Sequence, residues 1–266
     1  MRLAIATIFY NAKAELERLV KSIPNNSVDC CIWIDGIFKY TKEQNPELSD
    51  LSNDDSIFSI LGDMSNKPRI FNIYEYDSNF TEFNKRNHYL EICKVYDIDY
   101  LIIVDSDEFF VYPEGVTAER SWQLFRRNFE MLARKNSFQH NVFSIRSLDI
   151  ATNTESHRPR CWYNPGDMSY VNLSHYHYGN IHNKTEFDKI QTAREQRLNY
   201  CQESRGVIKG ITLAHSHDLR TKEQLQLREQ YQRYLVKYES LVQNGYSHEK
   251  AHKIAKANPS KEFNPT

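Results

Sequence analysis

Apolar positions along this chain follow two alternating rhythms. Residues 3–9 (LAIATIF) are short and almost continuously apolar, as in a strand buried on both faces. Residues 14–23 then take a helical period, with Leu16, Leu19, Val20 and Ile23 on one side and Pro24-Asn25 as the stop. A second buried strand at 30–34 (CCIWI) closes on the turn pair Asp35-Gly36. The polar stretch 39–55 reads as a loop over the surface. A third strand at 69–76, a helix at 82–96 and a fourth strand at 100–104 (YLIIV) follow. This series predicts an α/β protein with a mostly parallel sheet and flanking helices on both faces. In such sheets ligands bind beyond the carboxyl ends of the strands.

The second half reads differently. A helix at 119–135 is followed by strand-like runs at 141–148, 158–163, 169–178 and 207–214. A helix at 223–242 carries one stripe of Leu227, Tyr231, Tyr234, Leu235, Tyr238, Leu241 and Val242. Gly245 ends it, and Ser247 caps a last short helix running to Asn258-Pro259. The Tyr-rich stripe and mixed polar face favour packing against the body over a membrane surface. With no internal repeat, the expectation is a single domain over 1–266 with one continuous sheet, divided into 1–110, 111–220 and the C-terminal helices 221–266.

Composition changes this picture little. Of 266 residues, 40% are hydrophobic and 26% charged, enough for a core without staples. Lys and Arg total 34 against 35 Asp and Glu, so the balance requires neither a nucleic acid nor a membrane. The first residues read as a strand, not a signal peptide, and no run approaches the ~18 apolar residues of a membrane span. Five cysteines without a C-x-x-C pair suit reduced thiols in a cytoplasmic protein. Neighbouring Cys30 and Cys31 should face opposite sides of their strand. Sequons at Asn25, Asn79, Asn172 and Asn183 follow from an Asn-rich composition.

The chemistry-bearing signal is YLIIVDSDEFF. An apolar strand delivers Asp105 and Asp107, two residues apart, to its carboxyl end, on one side if strand geometry persists. Two hard oxygens there suit Mg²⁺ or Mn²⁺ with positions left for phosphate oxygens. The plain alternative is a polar turn, but the place in a β/α series favours a site. A second group, His215-Ser216-His217-Asp218-Leu219-Arg220, follows the strand at 207–214. Imidazole suits Mn²⁺ better than Mg²⁺, and Arg220 suits a diphosphate. One of His215 and His217 is expected to face the ion, since the chain turns at Asp218. The cluster His175, His177 and His182 reads as packing, because the cysteine spacing offers no zinc site.

With these residues in view, the chain resembles glycosyltransferases of the GT-A fold. The likeness covers the first ~110 residues, with scattered motifs beyond. Asp105-Ser106-Asp107-Glu108-Phe109 matches the D-x-D-E-F form of family-2-like and family-92-like transferases. The resemblance implies a donor-binding half at 1–110, an acceptor-binding half at 111–220, and Asp107 as a direct metal ligand. Asp105 would reach the ribose, or the metal through water, and Ser106 would line the nucleotide site. Thr7 and Asn11 would hold the nucleoside, Asp35 the base, and Arg86 of Lys85-Arg86-Asn87 the phosphates. A late histidine, His215 or His217, would complete the metal site, with Arg220 near the diphosphate. An inverting enzyme needs a carboxylate base; Asp149 and Asp167 are the candidates, and the family's later E-D base motif is missing. The expected activity is transfer of a hexosyl or pentosyl group from a nucleoside-diphosphate sugar, UDP foremost. The acceptor is not legible: a glycan, a lipid, a protein or a modified DNA base. The rivals are a nucleotidyltransferase, which would carry a Gly-rich loop after strand one, and a non-catalytic binding module.

Overall fold

The computed structural model of the chain describes residues 2–52, 56–65, 71–76, 82–135, 142–170, 178–180, 188 and 206–257. Strands β1 (Leu3–Phe9), β2 (Cys30–Asp35), β3 (Phe71–Tyr76) and β4 (Tyr100–Ile103) alternate with helices α1 (Lys13–Ser22), α2 (Lys39–Gln44), α3 (Ser56–Ser65) and α4 (Glu82–Val95). After β5 (Glu108–Val111) come α5 (Ala118–Lys135), β6 (Val142–Asp149), β7 (Thr154–Tyr163), a 3₁₀ turn at Pro165–Asp167 and β8 (Met168–Tyr170). Then follow β9 (Tyr178–Asn180), β10 (Val207–His215), α6 (Lys222–Gln243) and α7 (His248–Ala257).

One eight-stranded sheet runs β3-β2-β1-β4-β7-β6-β10-β5. Its first four strands are parallel, as the β/α rhythm predicts. β7 is then inserted antiparallel between β4 and β6, β10 runs parallel to β6, and β5 closes the edge antiparallel to β10. The carboxyl ends of β1, β2, β3, β4, β6 and β10 therefore share one edge, where Asp35, Asp105, Asp149 and His215 emerge.

Alternation along the strands builds a core on each face. Leu3, Ile5, Cys31 and Trp33 pack with Leu16 and Leu19 of α1, Ile57 and Ile60 of α3, and Trp122, Phe125 and Phe129 of α5. Ala4, Ala6, Cys30 and Ile32 face Tyr89, Ile92 and Cys93 of α4. Cys30 and Cys31 thus lie on opposite faces, and the cysteines at 30, 31, 93 and 161 are buried thiols. Cys201, the histidines at 175, 177 and 182, and most of the expected strand 169–178 lie outside the described residues.

Several expectations need correction. The stretch 39–55 is not all loop: α2 forms there because Tyr40 stacks on Tyr234 of α6 at 3.9 Å, a tertiary partner that local sequence does not announce. Helix α3 went unread, although Ile57, Ile60 and Leu61 are buried, and it packs on α1. Glu108–Val111 is a strand in its own right, because the chain reverses after β4. Near residue 170 the chain forms a separate two-stranded ladder of β8 and β9.

Candidate active site

β4 delivers the chain to a tight turn at 105–108. The Glu108 N–H donates to the Asp105 carbonyl at 2.9 Å, and the Asp105 N–H donates to the Glu108 carboxylate at 2.8 Å. Strand geometry does not persist through the pair, so the two aspartates meet different partners. Asp105 accepts from Arg160 at 2.5 Å and lies 3.3 Å from Arg86. Burial opposes its charge, but Arg160 and Arg86 outweigh that and hold the carboxyl well below the usual range.

Asp107 looks the other way, towards the end of β10. Register is the cause: His215 pairs with Glu108, and the Ser216 N–H donates to the Asp107 carbonyl at 3.2 Å. Onto Asp107 Oδ2 converge His215 Nε2 at 3.0 Å, His217 Nδ1 at 3.0 Å, Arg220 Nη2 at 2.9 Å and Arg228 Nη1 at 3.4 Å. Burial disfavours the Asp107 charge, yet the hydrogen bonds to His215 and His217 and the charge of Arg220 overcome it, keeping the group ionised. The Asp107 hydrogen bond in turn raises the His215 pKa against the opposing effect of burial.

Asp107, His215 and His217 place ligand-type atoms within 4.8 Å of one another. One carboxylate oxygen and two imidazole nitrogens form a mixed donor set for a divalent first-row metal ion, to which Mn²⁺ belongs. Both histidines reach the carboxylate, whereas the sequence led us to expect only one. Asp105 is engaged by guanidiniums and stands outside this group.

Asp107 and His215 line a cavity of about 740 Å³, whose lining does not include His217. Its walls include Asp105, Ser106, Asp107, Arg86, His215 and Arg220 of the sequence-derived set. Arg86 is held by Glu82 at 2.8 Å, and Lys85 is fully buried, donating to the Asp35 and Gly36 carbonyls. Asn87 accepts the Tyr170 N–H at 2.8 Å. Lys85, Arg86 and Asn87 are thus engaged with the body of the protein and do not form a solvated helix face.

Other expected residues lie elsewhere. Thr7 is fully buried within β1, its hydroxyl without a partner among the described residues, and it does not line the cavity. Asp35 is buried and committed: it accepts from Ser52 Oγ and the Gly36 N–H, each at 2.6 Å, and from Tyr74 Oη at 2.8 Å. Asn11 takes a left-handed conformation (φ 48°) and supports the wall from behind, its carbonyl accepting from the Gln224 amide. Asp149 sits 3.6 Å from His215 Nδ1, outside the cavity lining. Asp167 follows β7 at the opposite edge of the sheet, where Tyr163 pairs with Tyr100 and the adjoining Gly166 abuts Lys94 of α4. It does not line the cavity.

Sequence reading missed Arg160, Glu15 and the whole wall supplied by α6. Arg160 stands one residue past the β4 pairing, and the i, i+2 relation of Arg158 and Arg160 was the available signal. Glu15 is buried in the first turn of α1, and burial raises its pKa. α6 contributes Gln224, Leu227, Arg228, Tyr231, Leu235 and Glu239 at helical spacing. Its start is fixed by a capping box between Thr221 and Gln224, and Tyr231 donates to Glu82 at 3.2 Å.

No protein-family model matches the chain, and no curated protein does. Among solved structures, Staphylococcus aureus TarS 1-349 is similar over 56% of this chain and 36% of its own, with 16% identity and a TM-score of 0.35. The 4-diphosphocytidyl-2C-methyl-D-erythritol synthase of Anaerococcus prevotii DSM 20548 is similar over 87% and 96%, with 8% identity and a TM-score of 0.37. A cytidylyltransferase from Leptospira borgpetersenii serovar Hardjo-bovis (strain JB197) is similar over 97% and 94%, with 9% identity and a TM-score of 0.33. Among the described residues, no helix is long and apolar enough to cross a membrane.

Proposed function

We propose that the protein is a metal-dependent glycosyltransferase that moves a sugar from a nucleoside-diphosphate sugar, UDP-linked in the first instance, to an acceptor hydroxyl. The observation that carries the reading is the convergence of Asp107, His215 and His217 at the carboxyl edge of the sheet, with Asp107, His215 and the adjacent Arg220 lining a cavity of about 740 Å³. A bound Mn²⁺ or Mg²⁺ would supply positive charge to the departing diphosphate. Asp107, His215 and His217 are the residues to hold it. Arg220 and Arg86 present fixed cations to phosphate oxygens, the charge that grows as the bond breaks. In the reaction the anomeric carbon exchanges its phosphate oxygen for the acceptor oxygen, the nucleoside diphosphate leaves with the bonding electrons, and the acceptor hydroxyl's proton passes to solvent. Asp105, fixed by Arg160, and Ser106 border the same space for the ribose.

The competing activity, nucleotidyl transfer, is disfavoured by the segment after β1, Tyr10-Asn11-Ala12-Lys13, which has no glycine to cradle a triphosphate. A screen of nucleotide sugars with Mn²⁺ separates the two, since glycosyl transfer or hydrolysis releases nucleoside diphosphate, whereas nucleotidyl transfer releases pyrophosphate from a nucleoside triphosphate. Asp107→Asn should lower turnover by at least about 100-fold with the melting transition retained. Undiminished turnover in that variant, or full activity after exhaustive chelation, would remove Asp107 from the chemistry.

A further inference from the structure

Arg228 shares its space with the ligand atoms. Its Nη1 lies 2.9 Å from His217 Nδ1 and 3.4 Å from Asp107 Oδ2, and those two atoms are 3.0 Å apart. A divalent ion bonded to both would stand roughly 2.1 Å from each. On whichever side of the pair it sits, its centre comes within roughly 4 Å of the guanidinium nitrogen. Two cations at that separation repel, and Asp107, only 3% exposed, keeps water from the side they share. One of them must yield.

The two arginines on Asp107 differ in their freedom to do so. Arg220 belongs to the turn directly after His217, is 16% exposed, and has a buried Nε. Arg228 hangs from α6 by a long stem, is 34% exposed, and fronts the open cavity. The helix that carries it is pinned one turn earlier by Gln224, so the side chain can swing without the helix moving.

We propose that Arg228 and the divalent ion are alternative partners of Asp107 and His217, and that the arriving ion hands Arg228 over to the donor's diphosphate. The first half requires only a metal at Asp107; the second rests on the nucleoside-diphosphate reading above. The exchange makes ion and diphosphate bind cooperatively. The ion alone must displace Arg228, and the diphosphate then gives the released guanidinium a new partner.

The test is calorimetry on the full chain. Mn²⁺ alone is titrated into wild type and Arg228→Gln, and UDP is then titrated at saturating Mn²⁺. Removal of the competing cation should tighten Mn²⁺ on the order of fivefold or more and weaken UDP by a similar factor, reducing their coupling to what the direct ion–diphosphate contact supplies. A merely structural arginine would weaken both. Mn²⁺ affinity that falls or stays unchanged in a folded Arg228→Gln protein overturns the exchange. Should that variant fail to fold, Arg228→Met, which keeps the aliphatic stem, carries the same comparison. Wild type gives an independent reading, because UDP must raise its Mn²⁺ affinity; equal Mn²⁺ affinities with and without UDP also overturn the exchange. If UDP does not bind at all, the donor reading fails while the Mn²⁺ titrations still judge the competition.

Discussion

Glu108, with no exposed side-chain surface, accepts the Asp105 N–H at 2.8 Å and Arg160 at 2.9 Å, with Arg158 at 3.7 Å. Burial raises its pKa, to about 7, against the pull of Arg160. Its work is to close the turn that aims the two aspartates. Glu108→Ala should cost about 1–3 kcal/mol, since it strands the buried Asp105 amide and takes one of two carboxylates from Arg160, which keeps Asp105; urea denaturation measures this, and an unchanged denaturation midpoint would deny Glu108 that role. His215 adds a pH signature. Its folded pKa lies above the ordinary value of about 6.5 because of Asp107. In chelator, this contact stabilises fully below the unfolded pKa and is lost as pH rises through the folded one. Metal affinity runs the opposite way, since protons compete for the imidazole, and should fall as pH drops through that raised value. NMR titration of His215 with and without Mn²⁺ checks both directions. At this scale the sequence placed Asp105, Asp107 and His215 at the ends of strands, where the structure brings Asp107 and His215 into contact, because strand ends announce themselves. It could not say that Asp35 is consumed by Ser52 and Tyr74 or that Thr7 lies inward, since those depend on partners 17 and 39 residues away and on the facing of β1.

Elements were legible where their apolar rhythm is local. β1, α1, β2, α4 and β4 emerge within a residue or two of expectation, since each carries its own buried stripe. α2 is six residues long and rests on the Tyr40–Tyr234 stack nearly two hundred positions on, so no window along the chain contains its cause. The way β10 meets α5 is a second such dependency. Gly210 takes φ +127° at the irregularity where the β6–β10 register shifts, and a Cβ there would meet Phe125 N and Ser121 O, both at 2.7 Å. Both are backbone atoms that cannot turn aside. Gly210→Ala should therefore destabilise by about 2–3 kcal/mol, read from denaturant midpoints. It should also weaken Mn²⁺ binding, because the same strand ends in His215. A neutral Gly210→Ala would mean that α5 and β10 are not packed this closely.

For the whole molecule, the β/α series foretold the edge at which chemistry gathers, since parallel strands aim their carboxyl ends together. The order β7-β6-β10-β5 was not legible, because antiparallel insertion is decided by pairing across long separations and not by pattern. One such pairing bears on how the chain reaches its final state. Asp107 and His215 are 108 positions apart and meet only when β10 closes onto β5. Bringing such distant ends together costs loop entropy and belongs to the late part of assembly. An ion therefore finds no completed seat on the unfolded chain and cannot nucleate folding; it can only latch the finished protein. In stopped-flow measurements Mn²⁺ should leave the refolding limb of the chevron where it is and slow the unfolding limb by nearly the whole of its binding free energy. A faster refolding limb would mean that the two ends find each other before the sheet exists.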